Sequence, residues 1–407
     1  MVTSPPTVVP LLPEVAFPDD PGLGDLPRLF DSEWIWRAYC CQFGRPSVDP
    51  RQIRIRQFSH SPGRVALVSY EVEWPTDDFI PSQHLAIKVE RDKPIDLYRY
   101  PEDRRLPGLG EAAHPESALA LLNKHVLAVR ARRALVELIR YRPASRAVIR
   151  HGVGRVRFYA RVMRPDAVNP VLTAHALVGQ SSFVVPRLAG YWAEGGVVWL
   201  SAIPGENLRL RIQDGKLPDP APLLDGLQTL WSAPHVPAGT RPFNLSGAYR
   251  RAKRSFKHNV QDDGAASRNL KDAVKSLDPF VRSWRPSGIA HNDFYDDQML
   301  VLRDGSVALV DFEEAGPGDP LLDVGNFLAH LRWASCLGRR GRRDGSGAYY
   351  QQFRDAALER FRWSERDLAF REAVCLFRIC TNAIRRPQGD WHRRLGAGLS
   401  LVNETLG

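Results

Sequence analysis

Apolar and polar residues alternate along two stretches of the N-terminal half of the chain. The alternating segments are Ile53 to Phe58, Val65 to Trp74 and Leu85 to Val89, and then Glu137 to Arg142, Arg146 to Val153 and Arg157 to Met163. Alternation with a period of two predicts strands that bury one face. The two sets have similar turns and similar third strands, LAIKVER and YARVMRP, in which Lys88 corresponds to Arg161. This similarity indicates a degenerate internal duplication.

Apolar residues at helical spacing dominate the C-terminal half. The predicted helices there are Ala221 to Ser232, Leu245 to Ser255, Pro320 to Trp333, Ala348 to Arg362 and Ser364 to Ile384. Earlier in the chain, helices are predicted near Phe30 to Phe43, from Pro115 to about Leu138, and from Pro170 to Val178. The pattern therefore predicts an α+β protein with a β-rich first half and a mainly helical second half.

The stretch from Gly288 to His330 contains the candidate chemistry. A loop with His291, Asn292 and Asp293 leads into a strand (Met299 to Leu302), a tight turn, a second strand (Val307 to Val310) and Asp311. The hairpin holds two carboxylates at the same end of paired strands. Phosphoryl transfer requires one carboxylate for the acceptor hydroxyl and another, with an amide-type ligand, for the metal. Either carboxylate alone would more simply belong to a solvated acidic turn.

The residue order is His291-x-Asp293-x-x-x-x-Gln298, then Asp311-Phe312-Glu313, then Gly318-Asp319-Pro320-Leu321-Leu322-Asp323. This signature resembles that of the aminoglycoside phosphotransferase and choline kinase-like family. The resemblance implies that Asp293 is the catalytic carboxylate, that Gln298 and Asp311 bind Mg²⁺, and that His291 orients rather than acts as the base. Gln298 stands where the family usually has Asn, and its amide oxygen is one methylene further from the backbone.

The same resemblance implies a two-lobed, protein-kinase-like fold preceded by a β-rich cap, as in maltokinase-like and glucosamine kinase-like enzymes of bacteria. The expected domains are a Pro-rich arm (1–30), a cap (31–112), an N-lobe with the hinge (113–205) and a helical C-lobe with the catalytic hairpin (206–407). Asp323 would support the catalytic loop, and Asp319 would cap the helix that starts at Pro320.

The nucleotide site departs from the expected pattern. Arg161 occupies the place of the lysine that normally binds the phosphates, and residues 162–193 contain no Glu to hold it. Arg can bind phosphate but cannot reproduce the usual Lys–Glu pair, and a contribution from Lys88 stays open. The segment VVWLSAIPGENL resembles a kinase hinge, so backbone groups of Leu200, Ala202 and Ile203 would pair with adenine.

Two hypotheses of function follow. The first is an ATP-dependent, Mg²⁺-dependent phosphotransferase that acts on a hydroxyl of a small metabolite, a sugar or an amino sugar. The second is a catalytically impaired, kinase-like regulatory or binding protein. The intact set of Asp293, Gln298 and Asp311 favours the first.

Composition narrows the class of protein further. The 407 residues include 43% hydrophobic residues and no apolar run of membrane-spanning length, so we expect a cytoplasmic protein. The five cysteines show no metal-ligand spacing. The net charge of +10 includes an Arg339–Arg343 cluster, which without interleaved aromatics favours a solvated loop over nucleic-acid binding.

The acceptor and the oligomeric state are not specified by the sequence. A basic protein fits a neutral or anionic sugar better than a polycationic aminoglycoside. The candidate acceptor contacts are Asp296, Asp297, Glu314 and Trp391.

Overall fold

The computed structural model describes residues 8–9, 20–74, 83–127, 131–260, 264–337, 345–385 and 390–407. The chain folds into two compact units. The first comprises Met1–Pro165, Gly190–Trp199 and Asn382–Trp391, and the second comprises Asp166–Ala189, Leu200–Thr381 and His392–Gly407. Most of the predicted Pro-rich arm and the Arg339–Arg343 cluster lie outside the described residues. The division into four domains stays a prediction.

The first unit begins with a five-stranded sheet in the order β1-β2-β3-β4-β5. Its strands are β1 Val8–Val9, β2 Gln52–Ser61, β3 Val65–Glu73, β4 Gln83–Glu90 and β5 Asp96–Arg99. Only β1 pairs in parallel, and β2 to β5 form an antiparallel meander. Alternate residues of β3 are buried, which confirms the predicted period of two.

Helix α1 (Ser32–Phe43) packs its apolar residues into the core of this sheet. Asp31 caps the helix by accepting hydrogen bonds from the backbone N–H groups of Glu33 (2.9 Å) and Trp34 (3.2 Å). The packed structure starts earlier than the predicted Phe30, because Leu23 and Leu26 are each only 2% exposed in the same core.

A second five-stranded sheet has the order β6-β7-β8-β10-β9. Its strands are β6 Leu135–Arg142, β7 Arg146–Val153, β8 Val156–Met163, β9 Leu188–Trp192 and β10 Val197–Ser201, and helices α2 (Leu109–Ala113) and α3 (Pro115–His125) precede them. The predicted helix to Leu138 is wrong, since α3 ends at His125. Leu135 and the residues after it pair with β7 instead, with Leu138 opposite Ile149.

Both sheets are built on the same plan, which supports the predicted duplication. Asp20 accepts a hydrogen bond from Gly63 N in the β2–β3 turn (2.7 Å), and Asp103 accepts one from Ala144 N in the β6–β7 turn (2.7 Å). Each of these aspartates is followed by a buried Leu at the third and sixth positions, and then by a helix twelve residues on. The repeat therefore extends beyond the strands to the segments that precede them.

The strand register agrees with the correspondence between Lys88 and Arg161. Lys88 lies opposite Leu67, the third residue of β3, and Arg161 lies opposite Val148, the third residue of β7. The two cations thus occupy equivalent places in the two copies.

The second unit is mainly helical. Its elements are α4 Val168–Val178, β11 Glu206–Asn207, α5 Leu208–Gln213, α6 Ala221–Trp231, α7 Leu245–Asn259, α8 Ala265–Ser283, β12 Gly288–Ala290, β13 Met299–Val301, β14 Val307–Leu309, β15 Gly316–Gly318, α9 Pro320–Leu337, α10 Ser346–Phe361, α11 Glu365–Cys380 and α13 Trp391–Leu406. The short α12 (Asn382–Arg385) returns to the first unit, so the predicted helix to Ile384 ends at Cys380. A β-rich N-terminal part followed by a helical C-terminal part confirms the predicted α+β class.

Helix α9 is buried around most of its circumference, from Leu322 through Leu331, and packs against α10 and α11. A helix without a polar face belongs inside a domain, and α9 forms the centre of the second unit. None of the helices in the described ranges is long and apolar enough to span a bilayer.

Candidate active site

A short loop and a hairpin bring the predicted site residues together. Strand β12 leads into His291, Asn292 and Asp293, and one turn of 3-10 helix (Asp296–Gln298) then leads into β13. Strands β13 and β14 pair antiparallel around a turn in which Gly305 has φ +84°. Val310 N donates to Gln298 O (2.9 Å), so Gln298 and Asp311 stand at the same end of the hairpin, as predicted.

Asp323, on the first turns of α9, holds the catalytic loop by its backbone. Its Oδ2 accepts hydrogen bonds from His291 N (2.7 Å) and Trp231 Nε1 (3.0 Å), and its Oδ1 accepts one from Asn292 N (2.7 Å). The side chain is fully buried, and burial raises its pKa to about 7 against these donors. The predicted supporting position of Asp323 is confirmed by these bonds.

Asn292 turns the loop in the left-handed region, with φ +67°. Its Nδ2 donates to Glu314 O (2.9 Å). A Cβ on Gly318 would lie 1.9 Å from Asn292 Oδ1, which is far below contact distance. Gly318 is therefore required for the loop to pack against β15, and this explains the first residue of the Gly-Asp-Pro motif.

Asp319, the next residue, begins α9 and joins two helices to it. Its Oδ1 accepts from Leu321 N (3.0 Å), which is the predicted capping contact. Its Oδ2 accepts from Trp284 Nε1 (3.0 Å) and from Arg371 Nε (3.0 Å) on α11. The motif thus fixes the loop, α9 and α11 to one another.

Asp293 is half-buried and is oriented from two sides. Its Oδ2 accepts from Gln298 Nε2 (3.0 Å), and its backbone N–H donates to His291 Nδ1 (3.3 Å). Burial raises the pKa of Asp293 to about 6, the charge of Arg378 opposes that rise, and Asp311 adds to it. The carboxylate is accordingly ionised near neutral pH, where it can accept a proton.

His291 is a neutral imidazole. The side chain is 1% exposed, and burial lowers its pKa to about 4 although Asp311 raises it. Because Nδ1 accepts the bond from Asp293 N, the ring proton belongs on Nε2. This arrangement suits an orienting residue, and the functional role of His291 stays a prediction.

Gln298 offers an oxygen that fits a hard cation. Among the residues that the structure describes, its buried Oε1 has no hydrogen-bond partner. The charges of Asp311 and Glu314 both act on the pKa of the neighbouring Asp293. The described residues contain no group of three or more His, Cys, Asp or Glu that would hold a metal by itself. A pair of oxygen ligands is the donor set with which Mg²⁺ on a nucleotide is usually held.

The residues assigned to the nucleotide lie on or after two strands. Arg161 is on β8 of the first unit. Leu200 is 3% exposed on β10, which ends at Ser201. Ala202 and Ile203 follow, half-buried, in the segment before β11. Their contacts with adenine or phosphate stay predictions.

The acceptor contacts suggested by sequence need revision. The prediction that Asp296 contacts the acceptor is wrong, because this residue is 1% exposed and Arg209 donates two hydrogen bonds to it, of 3.0 and 2.8 Å. Asp297 also pairs with Arg209 (3.4 Å), and Trp391 belongs to the first unit. Glu314 is exposed and its charge acts on the pKa of Asp293.

Three residues near Asp293 had no sequence signal. Tyr295 stacks on His330, with ring centroids 4.1 Å apart. Burial, together with the charges of Arg209 and Arg378, lowers the pKa of His330 to about 3. The catalytic loop thus has two stacked rings, Tyr295 and His330, beside it. The positive charge of Arg378 acts on the same region.

The chain is similar to known phosphotransferases in sequence and to a kinase in fold. Residues 152–365 match the model of a family described as "Phosphotransferase enzyme family". The sequence matches none of the curated proteins with which it was compared. The structure is similar to choline kinase from Cryptosporidium parvum, with 11% identity and a TM-score of 0.51 over 71% of this chain and 94% of that one.

Two further structures are similar at lower TM-scores. A choline/ethanolamine kinase family protein from Mesorhizobium loti has 14% identity and a TM-score of 0.48 over 72% of this chain and 94% of that one. Spectinomycin phosphotransferase in complex with ADP and spectinomycin has 13% identity and a TM-score of 0.47 over 72% of this chain and 97% of that one. At 11% identity the likeness to choline kinase concerns the fold alone, which is the predicted kinase-like one.

Proposed function

The chain belongs to the phosphotransferase enzyme family, and from that premise we propose that it transfers the γ-phosphoryl group of ATP to a hydroxyl of a small metabolite, a sugar or an amino sugar. It is an enzyme of the phosphotransferase class, as the catalytic signature predicts. The observation that carries the finer proposal is the grouping of Asp293, Gln298 and Asp311 at one end of the hairpin.

Asp293 is proposed as the catalytic carboxylate. Its Oδ2 is held by Gln298 Nε2 at 3.0 Å, which leaves the other oxygen for the acceptor hydroxyl. That oxygen would accept the hydroxyl's hydrogen bond, align it for attack and take its proton late in the reaction. His291 and Asp323 position the loop and take no part in the chemistry.

Gln298 and Asp311 are proposed as the residues that hold Mg²⁺. The metal, when bound, would neutralise charge on the phosphates of ATP. The oxygen of Gln298, which has no hydrogen-bond partner among the described residues, supports this assignment. Arg161, with backbone groups of Leu200, Ala202 and Ile203, is proposed to bind the nucleotide.

The test has two steps, and both use the full-length protein. Calorimetry measures ATP binding with and without Mg²⁺. ADP release is then measured over a panel of sugars, amino sugars and aminoglycosides. We expect Mg²⁺-dependent binding and ADP release that depends on one class of acceptor. Asp293→Asn should lower the rate of release by roughly two to four orders of magnitude, while Asp272→Asn, an equal charge change at an exposed position of α8, should not change it.

The regulatory hypothesis predicts a different outcome. It would be favoured if Mg-ATP bound but no acceptor were phosphorylated, and if Asp293→Asn matched the wild type in every assay. Absence of Mg-ATP binding would contradict the proposed function outright.

A further inference from the structure

Arg378, on α11, is a half-buried cation that has no acidic partner among the residues that the structure describes. Its guanidinium carbon lies 5.2 Å from the centroid of the Phe243 ring, and its Nη1 lies 4.0 Å from Cys375 Sγ, a weak acceptor. Within the described part of the chain, no carboxylate oxygen is within 4.0 Å of the guanidinium. Partial burial of a charge without a partner is unfavourable, so this group has hydrogen-bonding capacity that the protein leaves unused.

Other half-buried arginines of the second unit do have acidic partners. These pairs are Arg209 with Asp296 (2.8 Å), Arg211 with Glu206 (2.9 Å), Arg332 with Glu372 (3.4 Å), Arg354 with Glu365 (2.5 Å) and Arg371 with Asp319 (3.0 Å). The contrast is sharpest between Arg371 and Arg378, which are seven residues apart and so lie on the same face of α11. The partner of Arg371 belongs to the Gly-Asp-Pro motif, and this places that face against the catalytic segment.

A second set of contacts places Arg378 near the catalytic carboxylate. Phe243, which its guanidinium covers, donates its backbone N–H to Pro317 O (2.9 Å). Pro317 is in β15, which pairs with β12, the strand that leads into the catalytic loop. The charge of Arg378 also lowers the pKa values of Asp293 and of His330, so all three groups share one electrostatic environment.

We propose that Arg378 binds an anionic group, a carboxylate or a phosphate, on the same acceptor molecule whose hydroxyl is held at Asp293. This inference rests on the proposed function and narrows its substrate class. The planar fork of a guanidinium matches both kinds of anion. In the proposed complex, Asp293 interacts with the hydroxyl and Asp311 with Mg²⁺. Arg378 pairs with no carboxylate of the described residues, so its charge is left for the acceptor.

The charge also argues against a purely cationic acceptor. A polycation would bring its charge against an unpaired guanidinium, and like charges that meet in a partly desolvated site oppose binding. Arg378 would therefore exclude choline-like or polyamine-like acceptors and admit acidic ones.

The experiment compares acceptors that differ mainly in charge. The probes are D-glucose, D-glucosamine, D-glucuronate and D-glucose 6-phosphate, and the last two distinguish carboxylate from phosphate. Binding of each probe is measured by calorimetry in the presence of a non-hydrolysable ATP analogue and Mg²⁺, and turnover is measured by ADP release. Binding is also measured in Asp293→Asn, where turnover is prevented.

Three variants accompany the wild type. Arg378→Met keeps the length of the side chain and removes the charge, and Arg378→Lys keeps the charge and removes the fork. Arg366→Met, at an exposed position of the same helix, is the matched control. Thermal unfolding of each variant establishes that it folds.

We expect an acidic probe to bind most tightly and to be phosphorylated best. Loss of a partly buried charge pair should lower kcat/KM for that probe roughly 10²- to 10³-fold in Arg378→Met, through KM more than through kcat. Arg378→Lys should recover part of this loss, and Arg366→Met should lose nothing. The Kd for the ATP analogue should change little.

Several outcomes would overturn the inference. One is preference for glucose or glucosamine with no effect of Arg378→Met; the proposed function would then stand without it. Another is weaker binding of the ATP analogue to Arg378→Met, which would assign the arginine to the nucleotide. Failure of both acidic probes to bind would also overturn it. If an acidic probe bound through Arg378 but no phosphoryl transfer occurred, the proposed function would fail and the binding site would stand.

Discussion

Replacing Asp323 by Asn tests how the catalytic loop is held, without requiring a known acceptor. The carboxylate accepts three N–H bonds, and two of them come from consecutive loop residues, His291 and Asn292. An amide has only one oxygen. The best orientation keeps that oxygen at Oδ2, where two donors meet, and turns the NH2 group towards the N–H of Asn292.

The magnitude follows from what the substitution removes. One charge-assisted hydrogen bond of 2.7 Å is lost, worth about 1.5–3 kcal/mol, and a buried donor is left unsatisfied at a similar cost. Relief from burying a charged carboxylate offsets part of this, so we expect a net destabilisation of about 2–3 kcal/mol. In a unit of this size such a change lowers Tm by roughly 5–10 °C.

The assay is hydrogen exchange resolved at single residues in the segment that includes residues 288–298. Exchange of the Asn292 amide should accelerate by up to about 10²-fold, because local opening would no longer break a bond there, while the His291 amide stays protected. Asp272→Asn, with the same chemical change on the surface of α8, is the control. Unchanged protection of Asn292 together with an unchanged Tm would refute the claim that Asp323 holds the loop.

Three further predictions concern the chemistry and its support. Asp293→Asn should leave Mg-ATP binding nearly unchanged and lower turnover by roughly two to four orders of magnitude. In the wild type, kcat/KM should fall tenfold per pH unit below about 6, because Asp293 becomes protonated below its raised pKa and can no longer act as the base. Asp311→Asn should weaken Mg-nucleotide binding and abolish transfer; equal Mg-ATP affinity in calorimetry would show that its metal role is wrong. Gly318→Ala should displace the Asn292 side chain and lower both Tm and activity, whereas Gly288→Ala, on the paired strand where a Cβ meets Pro320 only at 3.5 Å, should be tolerated.

The parts of the site that the sequence predicts are those made by neighbouring residues. The loop and the hairpin between residues 288 and 311 follow from turn chemistry and local alternation, whereas the 3-10 turn at Asp296–Gln298 was not predicted. The short turn also forces Gln298 and Asp311 to the same end. Asp323 was predictable because it lies in the first turn of the helix that follows, in a motif of fixed spacing.

The parts that the sequence did not predict depend on contacts between distant segments. Asp296 reads as a free acidic residue until Arg209, 87 positions earlier, is placed against it. Arg378 lies in the apolar part of α11, and the sequence pattern of that helix gives no sign that this side chain lies near Asp293. The helix predicted to extend to Leu138 failed for a related reason, since pairing with β7 overrides the local preference of residues 135–138.

The duplication in the first unit bears on which cation would face the nucleotide. The family match begins at residue 152, near the end of β7, so it includes β8 of the second copy and leaves the first copy outside. Lys88 and Arg161 hold the same register position in the two copies. In the first copy the ammonium of Lys88 is already bound by Glu90, 2.6 Å away on the same strand. Because Lys88 lies outside the family match and Arg161 lies inside it, on β8, the guanidinium of Arg161 stays the predicted phosphate-binding group.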